Sequence, residues 1–171
     1  MKFVVLAAAA AVLAGCQTMP QQREVVEISA PFDVAQATRL VADGPNIVRG
    51  NAFMRQRGGG VVTCAGSTVN LIPATLYART RMATLYGNSE AGSHSRRVTP
   101  VFSPNPPEYM ALVKTTKCDA QGNFVFDRVV EGDFYVQTFV AWTVASSPQG
   151  GTMMQRITVR NGQATNVILS S

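Results

Sequence analysis

His94 is the only histidine in this 171-residue chain, and it limits the catalytic chemistry that the sequence can support. Glu90, Ser93 and Ser95 lie beside it, and these are the residue types of a Ser-His-acid catalytic site. Such a site needs a rigid frame, whereas this stretch is polar and rich in Gly and Ser. We therefore expect His94 to be a solvated loop residue. The sequence predicts a protein that is not an enzyme, with no catalytic residue, and a hydrolase centred on His94 is the least favoured hypothesis.

Four carboxylates lie close together in the sequence, at Asp119, Asp127, Glu131 and Asp133. Carboxylate oxygens in such a cluster are ligands that Ca²⁺ accepts. Asp119 and Asp133 also lie near glycines, and Asp is a common turn residue for this reason. We expect turn formation here, and the single histidine excludes a His-rich zinc site. The sequence therefore predicts no metal and no cofactor.

Arginine is concentrated in the first part of the chain, where acidic residues are sparse. Guanidinium groups pair well with carboxylates and phosphates, which occur on peptidoglycan peptides, lipopolysaccharide cores and acidic proteins. Alternatively, these side chains keep the edges of strands from pairing with other chains. Both interpretations stay open at this point. The candidate binding surface consists of Arg55, Arg57, Arg79, Arg81, Arg96 and Arg97.

The N-terminus has the pattern of an export signal. Lys2 precedes an unbroken apolar run over residues 3–13, which is too short to cross a bilayer as a helix. The run ends in Leu13-Ala14-Gly15-Cys16, which resembles the lipobox of bacterial lipoproteins. The resemblance implies a signal peptide over residues 1–15 and attachment of palmitate and diacylglycerol at Cys16. An ordinary secretory signal with a chance cysteine is the alternative.

Lipid attachment at Cys16 would anchor the protein to a membrane without a spanning segment. Gln17 follows the cysteine, whereas an Asp at this position resembles a retention signal for the inner membrane. We therefore expect an outer-membrane lipoprotein that faces the periplasm. A net charge of +5 does not indicate nucleic-acid binding in that compartment.

Two cysteines are left once Cys16 carries lipid. Cys64 and Cys118 lie 54 positions apart, and in an oxidising compartment such a pair commonly forms a disulfide. The other readings are two buried free thiols or one reactive thiol. A disulfide would stabilise the fold by about 4 kcal/mol in the chain-entropy model.

The organisation of the mature chain indicates one all-β domain. Residues 16–44 read as a lipid-anchored tether, with either a short helix near Asp33 or an irregular lead-in strand. Over residues 45–171 short segments of period 2 alternate with turns, which is typical of an antiparallel β-sandwich of about seven to eight strands. Residues 76–86 fit a strand or a short helix. Asn161-Gly162 predicts a hairpin turn near the C-terminus.

One predicted strand and one predicted loop stand out. Residues 134–142 alternate so that Phe134, Val136, Thr138, Val140 and Trp142 share one face. The alternative for Trp142 is a sugar-binding groove lined with Tyr77, Tyr86 and Tyr109, but its place at the end of this apolar strand favours the core. Residues 87–108 are rich in Gly, Ser and Pro and read as a long loop, which is either functional or mobile.

The segment 118–136 resembles the carboxypeptidase regulatory-like domains. It carries an Asp-x-x-Gly-x-Phe turn and strand from Asp119 to Phe124, followed by a second strand that begins at Gly132. The resemblance covers roughly residues 59–142. It implies a sandwich of transthyretin-like (prealbumin-like) topology and a non-catalytic role, so no catalytic residue carries over.

These observations favour a non-catalytic adaptor or structural module that binds another envelope component. The second hypothesis is a ligand-binding module for cell-wall glycan or peptide, which would use the arginine-bearing face. The partners expected are therefore the membrane through the anchor, and an envelope protein or peptidoglycan through the domain.

Overall fold

Two β-sheets face each other in the computed structural model, which describes residues 23–95, 100–160 and 162–171. Three helices accompany the strands in this part of the chain: α1 (Val34–Val41), α2 (Leu76–Tyr86) and α3 (Pro107–Ala111). The strands are β1 (Val25–Glu27), β2 (Asn46–Arg55), β3 (Val61–Thr63), β4 (Thr68–Pro73), β5 (Ala91–His94), β6 (Val101–Ser103), β7 (Lys114–Lys117), β8 (Asn123–Val129), β9 (Gly132–Val144), β10 (Ser147–Val159) and β11 (Thr165–Ser170).

The sheets confirm the all-β sandwich and differ from the prediction in detail. One sheet has five antiparallel strands in the order β5-β10-β9-β4-β7. In the other, β2 pairs with β3 and β8 in antiparallel fashion and with β11 in parallel. A separate ribbon pairs β1 with β6 in parallel. The described chain thus has more strands than the seven or eight expected, and two of its strand pairs are parallel.

The main core lies between the two sheets. Inward-facing residues of β9 such as Phe134, Val136 and Val140 are buried there, as the period of 2 predicts. Phe124 and Val167 meet them from the opposite sheet. The alternation of polar and apolar residues therefore sets which side of each strand faces the partner sheet.

A second core covers the outer face of the five-stranded sheet. Tyr77 and Met82 of α2 and Tyr109 of α3 pack there against Tyr135 and Met154 of the sheet. The central strands are consequently buried on both faces, which explains adjacent apolar pairs that a one-sided strand would not carry. Such pairs are Leu71–Ile72, Phe134–Tyr135 and Met153–Met154.

Residues that the sequence assigns to the tether belong to the fold. Ile28 is buried in the second core, and α1 follows with Ala37 fully buried. The helix forms as one of the two alternatives expected, with the Asp33 carboxylate accepting a hydrogen bond from the Gln36 N–H at 2.8 Å. The structured domain therefore begins before residue 45. The predicted signal peptide over residues 1–15 and Cys16 lie outside the described residues.

Residues 76–86 form a helix, and the segment after it is not the continuous loop predicted. The Thr75 hydroxyl caps α2 by accepting from the Ala78 N–H, and Gly87 ends it with a φ of 68°. Beyond it, β5 pairs with β10 and β6 pairs with β1. These strands form because distant segments satisfy their backbone groups, so the local sequence gives no periodic pattern for them.

The prediction of a hairpin at Asn161-Gly162 is wrong. β11 does not turn back along β10, and instead pairs in parallel with β2 of the other sheet. The buried side chain of Asn46 supports this crossing, since it donates to the Val129 carbonyl at 2.9 Å and accepts from the Gly162 N–H at 3.1 Å. Asn161 itself lies outside the described residues.

Charged side chains bridge the two sheets beside β7. Lys114 donates to the Arg128 carbonyl at 2.6 Å and lies 3.4 Å from the Asp43 carboxylate. The guanidinium of Arg128 binds the same carboxylate at 2.9 Å. This cluster spans from the edge strand of one sheet to β8 of the other.

A disulfide joins Cys64 to Cys118, with 5.8 Å between their Cα atoms. Both residues are buried in the core between the sheets. The bond connects the segment after β3 to the residue that follows β7, and so links one sheet to the other. The predicted pairing is therefore present in the structure.

We expect Cys64→Ala/Cys118→Ala to lower the free energy of unfolding by about 4 kcal/mol, because the bond closes a loop of 54 residues. Urea unfolding of the variant and of the oxidised and reduced wild type measures this. If reduction leaves the wild-type transition unmoved, the bond does not contribute in this way.

Two buried tyrosines should respond in opposite ways to loss of the hydroxyl. The Tyr77 hydroxyl donates to the Pro104 carbonyl at 2.7 Å, whereas the buried Tyr135 hydroxyl has no hydrogen-bond partner among the described residues. Tyr77→Phe should cost about 1–2 kcal/mol of stability, and Tyr135→Phe should be neutral or stabilising. Urea unfolding of the two variants side by side tests this, and equal losses would contradict it.

Candidate functional site

The β9–β10 hairpin extends beyond the strands that flank it. β4 pairs with β9 only up to Thr138, and β5 pairs with β10 only from Thr152 onward. Residues 139–151, here called the hairpin arm, therefore find ladder partners only within the β9–β10 hairpin in the described chain. Ala145 and Ser146 form the tight turn at its tip, with φ of 44° and 66°. The arm thus presents both faces of a two-stranded ribbon.

One face of the arm borders a cavity of about 710 Å³, here called the front cleft. Trp142 and Gln149 line it from the arm, Arg55 from the end of β2 and Arg57 from the turn that follows. Trp142 is half-buried because part of its ring packs on the core between the sheets. Further polar lining comes from Gln56, Ser93, His94, Ser95 and Ser147.

The opposite face borders a second cavity of about 770 Å³, here called the back cleft. Phe139 lies in it with 48% of its surface exposed, next to Tyr86 and Arg81 of α2. Gln137 donates to the Tyr86 hydroxyl at 2.8 Å. Burial raises the pKa of Tyr86, and its hydrogen bonds with Thr152 and Gln137 oppose this rise. The hydroxyl therefore stays neutral at physiological pH and can take part in hydrogen bonds.

Two glycines of β10 shape the boundary between the clefts. A Cβ at Gly150 would collide with the Val140 carbonyl, and one at Gly151 would collide with the His94 carbonyl. Gly150 also has a φ of 109°, which other residues rarely adopt. Glycine at these positions lets β10 pass close to its neighbours. His94 and Gln149 consequently line both clefts.

The charge of both clefts is positive. Among the described residues, no Asp or Glu side chain lines either cleft. Arg55 and Arg57 form no ion pair with any carboxylate in the described ranges, and both are exposed. An anion entering the front cleft would therefore meet two guanidinium groups that no Asp or Glu side chain in the described ranges pairs with. The terminal carboxylate of Ser171 also lines this cleft, and one of its oxygens accepts from the Arg55 backbone N–H at 3.2 Å.

Arg81 reaches the back cleft from a nest of aromatic rings. Its guanidinium carbon lies 4.2 Å from the centre of the Phe102 ring and 4.6 Å from that of Tyr109, in cation–π geometry. One of its nitrogens donates to Asn105 at 2.6 Å. Burial raises the pKa of the Tyr109 hydroxyl, and the nearby Arg81 charge acts against it. The cation is thus held in place without a carboxylate.

Arg79 has a structural role instead. Its guanidinium lies 3.7 Å from the Asp133 carboxylate, which also binds Arg156 at 2.9 Å. Arg156 reaches Glu90 at 3.0 Å as well, so this ion network ties α2 and the start of β5 to the sheet. The Glu90 carboxylate therefore forms an ion pair with Arg156, whereas the sequence suggested Glu90 as the acid of a catalytic site.

The predicted arginine surface is divided in the structure. Arg55 and Arg57 line the front cleft and Arg81 the back cleft, so these three do not share one face. Arg96 and Arg97 lie outside the described residues.

The sequence favours the core over a sugar-binding groove for Trp142, whereas the structure shows its ring both packing on the core and lining the front cleft. The sequence assigns no site role to Phe139 or Gln149. The sequence carries two signals for this region. The alternation of β9 continues to Trp142, and the glycines at 150 and 151 indicate that β10 passes close to neighbouring backbone.

His94 is half-buried at the end of β5 and is not a solvated loop residue. The centre of its ring lies 6.2 Å from that of Tyr86 in edge-on geometry. In the part of the chain that the structure covers, no three His, Cys, Asp or Glu residues are grouped closely enough to hold a metal ion. Asp119 forms a turn, accepting from the Gln121 and Asn123 N–H groups at 2.9 and 2.8 Å. None of the described helices combines the length and apolarity needed to cross a membrane.

The fold has a solved counterpart. It matches the crystal structure of a putative carbohydrate binding protein from Pseudomonas aeruginosa, with a TM-score of 0.68 and 21% sequence identity. The match covers 83% of this chain and 99% of the other. No protein-family model and no curated protein matches the sequence. At this identity the match establishes a shared fold.

We expect Asp133→Asn to destabilise the protein at neutral pH and to reduce its sensitivity to acid. The Thr158 hydroxyl, followed by Arg156 and Arg79, lowers the pKa of Asp133. Its contribution is therefore present above the ordinary carboxyl pKa of about 3.9 and is lost as the pH falls through the lower folded value. Urea unfolding at several pH values should show the wild type and the variant converging in acid. Asp127→Asn, at an exposed position on β8, is the control, and a similar convergence for it would contradict the assignment.

Proposed function

We propose that the protein is a non-catalytic glycan-binding module of the bacterial cell envelope. The observation that carries the proposal is the front cleft, where the half-buried ring of Trp142 shares a polar cavity with Arg55 and Arg57. The clefts therefore favour the glycan hypothesis over the protein adaptor that the sequence placed first.

The lining has the chemistry that a saccharide requires. A sugar ring has an apolar face of C–H groups that stacks on an aromatic ring, and hydroxyls around its rim that need hydrogen-bond partners. Trp142 offers the first, and Gln56, Gln149 and the serines of the cleft offer the second. The packing of Trp142 against the core fixes the ring before a ligand arrives, which reduces the entropy lost on binding.

The shared fold gives independent support. The matching Pseudomonas aeruginosa structure is described as that of a putative carbohydrate binding protein. That description applies to the other protein, and here it supports only the choice of ligand class.

The envelope location forms part of the same proposal. Residues 1–15 act as a signal peptide, Cys16 carries the lipid, and the domain faces the periplasm from the outer membrane. The buried Cys64–Cys118 bond supports an oxidising compartment. We further propose that the sandwich has transthyretin-like topology and belongs with the carboxypeptidase regulatory-like domains.

Binding to purified peptidoglycan sacculi tests the function. Trp142→Ala should weaken retention of the full-length protein on sacculi by about tenfold or more, as expected for a buried aromatic at a contact centre. Trp142→Phe, which keeps a ring, should lose much less.

Thermal unfolding of both variants separates binding from folding, because Trp142 also contacts the core. Phe139→Ala, in the back cleft, shows whether binding is confined to the front cleft. Retention that is indifferent to Trp142→Ala in a folded protein would contradict the proposal, and specific capture of an envelope protein alone would support the adaptor instead.

A further inference from the structure

We infer that the saccharide bound in the front cleft is anionic and that Arg55 and Arg57 read its charged group. This inference rests on the proposed glycan-binding function and specifies its ligand class. The ligand would carry carboxylate or phosphate groups, both of which accept the paired hydrogen bonds of a guanidinium.

Arg55 and Arg57 differ from the cations whose ion pairs tie the elements of the fold together. Arg79, Arg128, Arg156 and Lys114 each have a carboxylate within 4 Å. The guanidinium groups of Arg55 and Arg57 have none among the described residues, although the terminal carboxylate of Ser171 lies in the same cleft and accepts from the Arg55 backbone N–H at 3.2 Å. Exposed arginines such as Arg49 and Arg160 also form no ion pair with a described carboxylate, but they do not line either cleft. Arg55 and Arg57 thus combine an unpaired guanidinium with a place in the front cleft.

Backbone hydrogen bonds fix the turn that follows Arg55 and contains Arg57. The Gln56 N–H donates to the Gly60 carbonyl at 2.7 Å, and the Gly59 N–H donates to the Gln56 carbonyl at 2.9 Å. Gly59 adopts a φ of 87°, which closes this turn tightly. Arg55, at the end of β2, and Arg57, in this turn, therefore lie on ordered backbone and line the same cleft as Trp142.

The back cleft adds a positive charge on the other side of the hairpin arm. Arg81 contributes another cation there. The rings of Phe102 and Tyr109 and the side chain of Asn105 hold its guanidinium without neutralising the charge. A saccharide that passes the hairpin arm would meet positive charge on both of its faces. A neutral glycan would gain little from this arrangement, whereas an acidic one would be attracted at low salt.

The test uses the full-length protein and three soluble saccharides. Trp142 is the only tryptophan, so its fluorescence reports directly on the front cleft. The probes are tetragalacturonate, its carboxyl-reduced neutral form, and mannose 6-phosphate as the phosphate source. We expect at least one anionic probe to bind about tenfold more tightly than the neutral tetrasaccharide, with affinity that falls as salt rises. The tighter anion identifies the source of the charge.

Matched variants assign the effect to the cleft. Arg55→Gln/Arg57→Gln should weaken binding of the preferred anion by about tenfold or more. Arg49→Gln/Arg160→Gln removes the same charge from two exposed arginines that do not line the clefts, and should change binding less than twofold.

The outcomes distinguish a wrong ligand class from a wrong proposed function. Equal binding of neutral and anionic probes, or an equal effect of the two double variants, overturns the inference and leaves glycan binding intact. Retention on sacculi through Trp142 with no binding of any soluble probe also overturns it. Failure to bind sacculi and all probes overturns the proposed function itself.

Discussion

Burial of the five-stranded sheet on both faces is the constraint on which the rest of the structure depends. β9 and β10 lie at its centre, with the partner sheet on one side and α2, α3 and the β1–β6 ribbon on the other. Because these two strands are held so firmly, they continue past their neighbours as the hairpin arm, which has no flanking strand in its own sheet and contacts the core between the sheets through Val140 and Trp142. Both clefts exist because that arm projects from a rigid base.

Sequence periodicity predicted the architecture where burial is one-sided. The alternation of β9 from Val136 onward, the cap at Asp33 and the turn at Asp119 all depend on neighbours in sequence, and the structure has each of them. The helical layer and the parallel pairing of β11 with β2 depend on segments far apart in the chain. Composition near Asn161 favours a hairpin, and the buried amide of Asn46 supports a crossing to the other sheet instead. Local pattern carries no information on such long-range choices.

The candidate site was predictable in residue type and not in arrangement. Arg79 and Arg81 lie two positions apart on α2, yet one binds Asp133 and the other lies among aromatic rings beside the back cleft. Nothing in the residue type distinguishes them, because the difference depends on which strand each side chain faces. Trp142 shows the same limit, since a strand pattern places it on the core face and cannot reveal that the sheet ends before it.

The charged cluster beside β7 bears on how copies of the protein coexist on a crowded surface. An edge strand offers free backbone groups to which a strand of a second copy of the protein could add. Lys114 and Lys117 lie on this edge, and Lys114 is tied through Asp43 to Arg128 of the other sheet. A strand arriving from another molecule would have to displace these ions and bury their charge. The charges of the cluster thus oppose the addition of a strand from another molecule at the β7 edge of the sheet, which lies opposite the edge formed by β5.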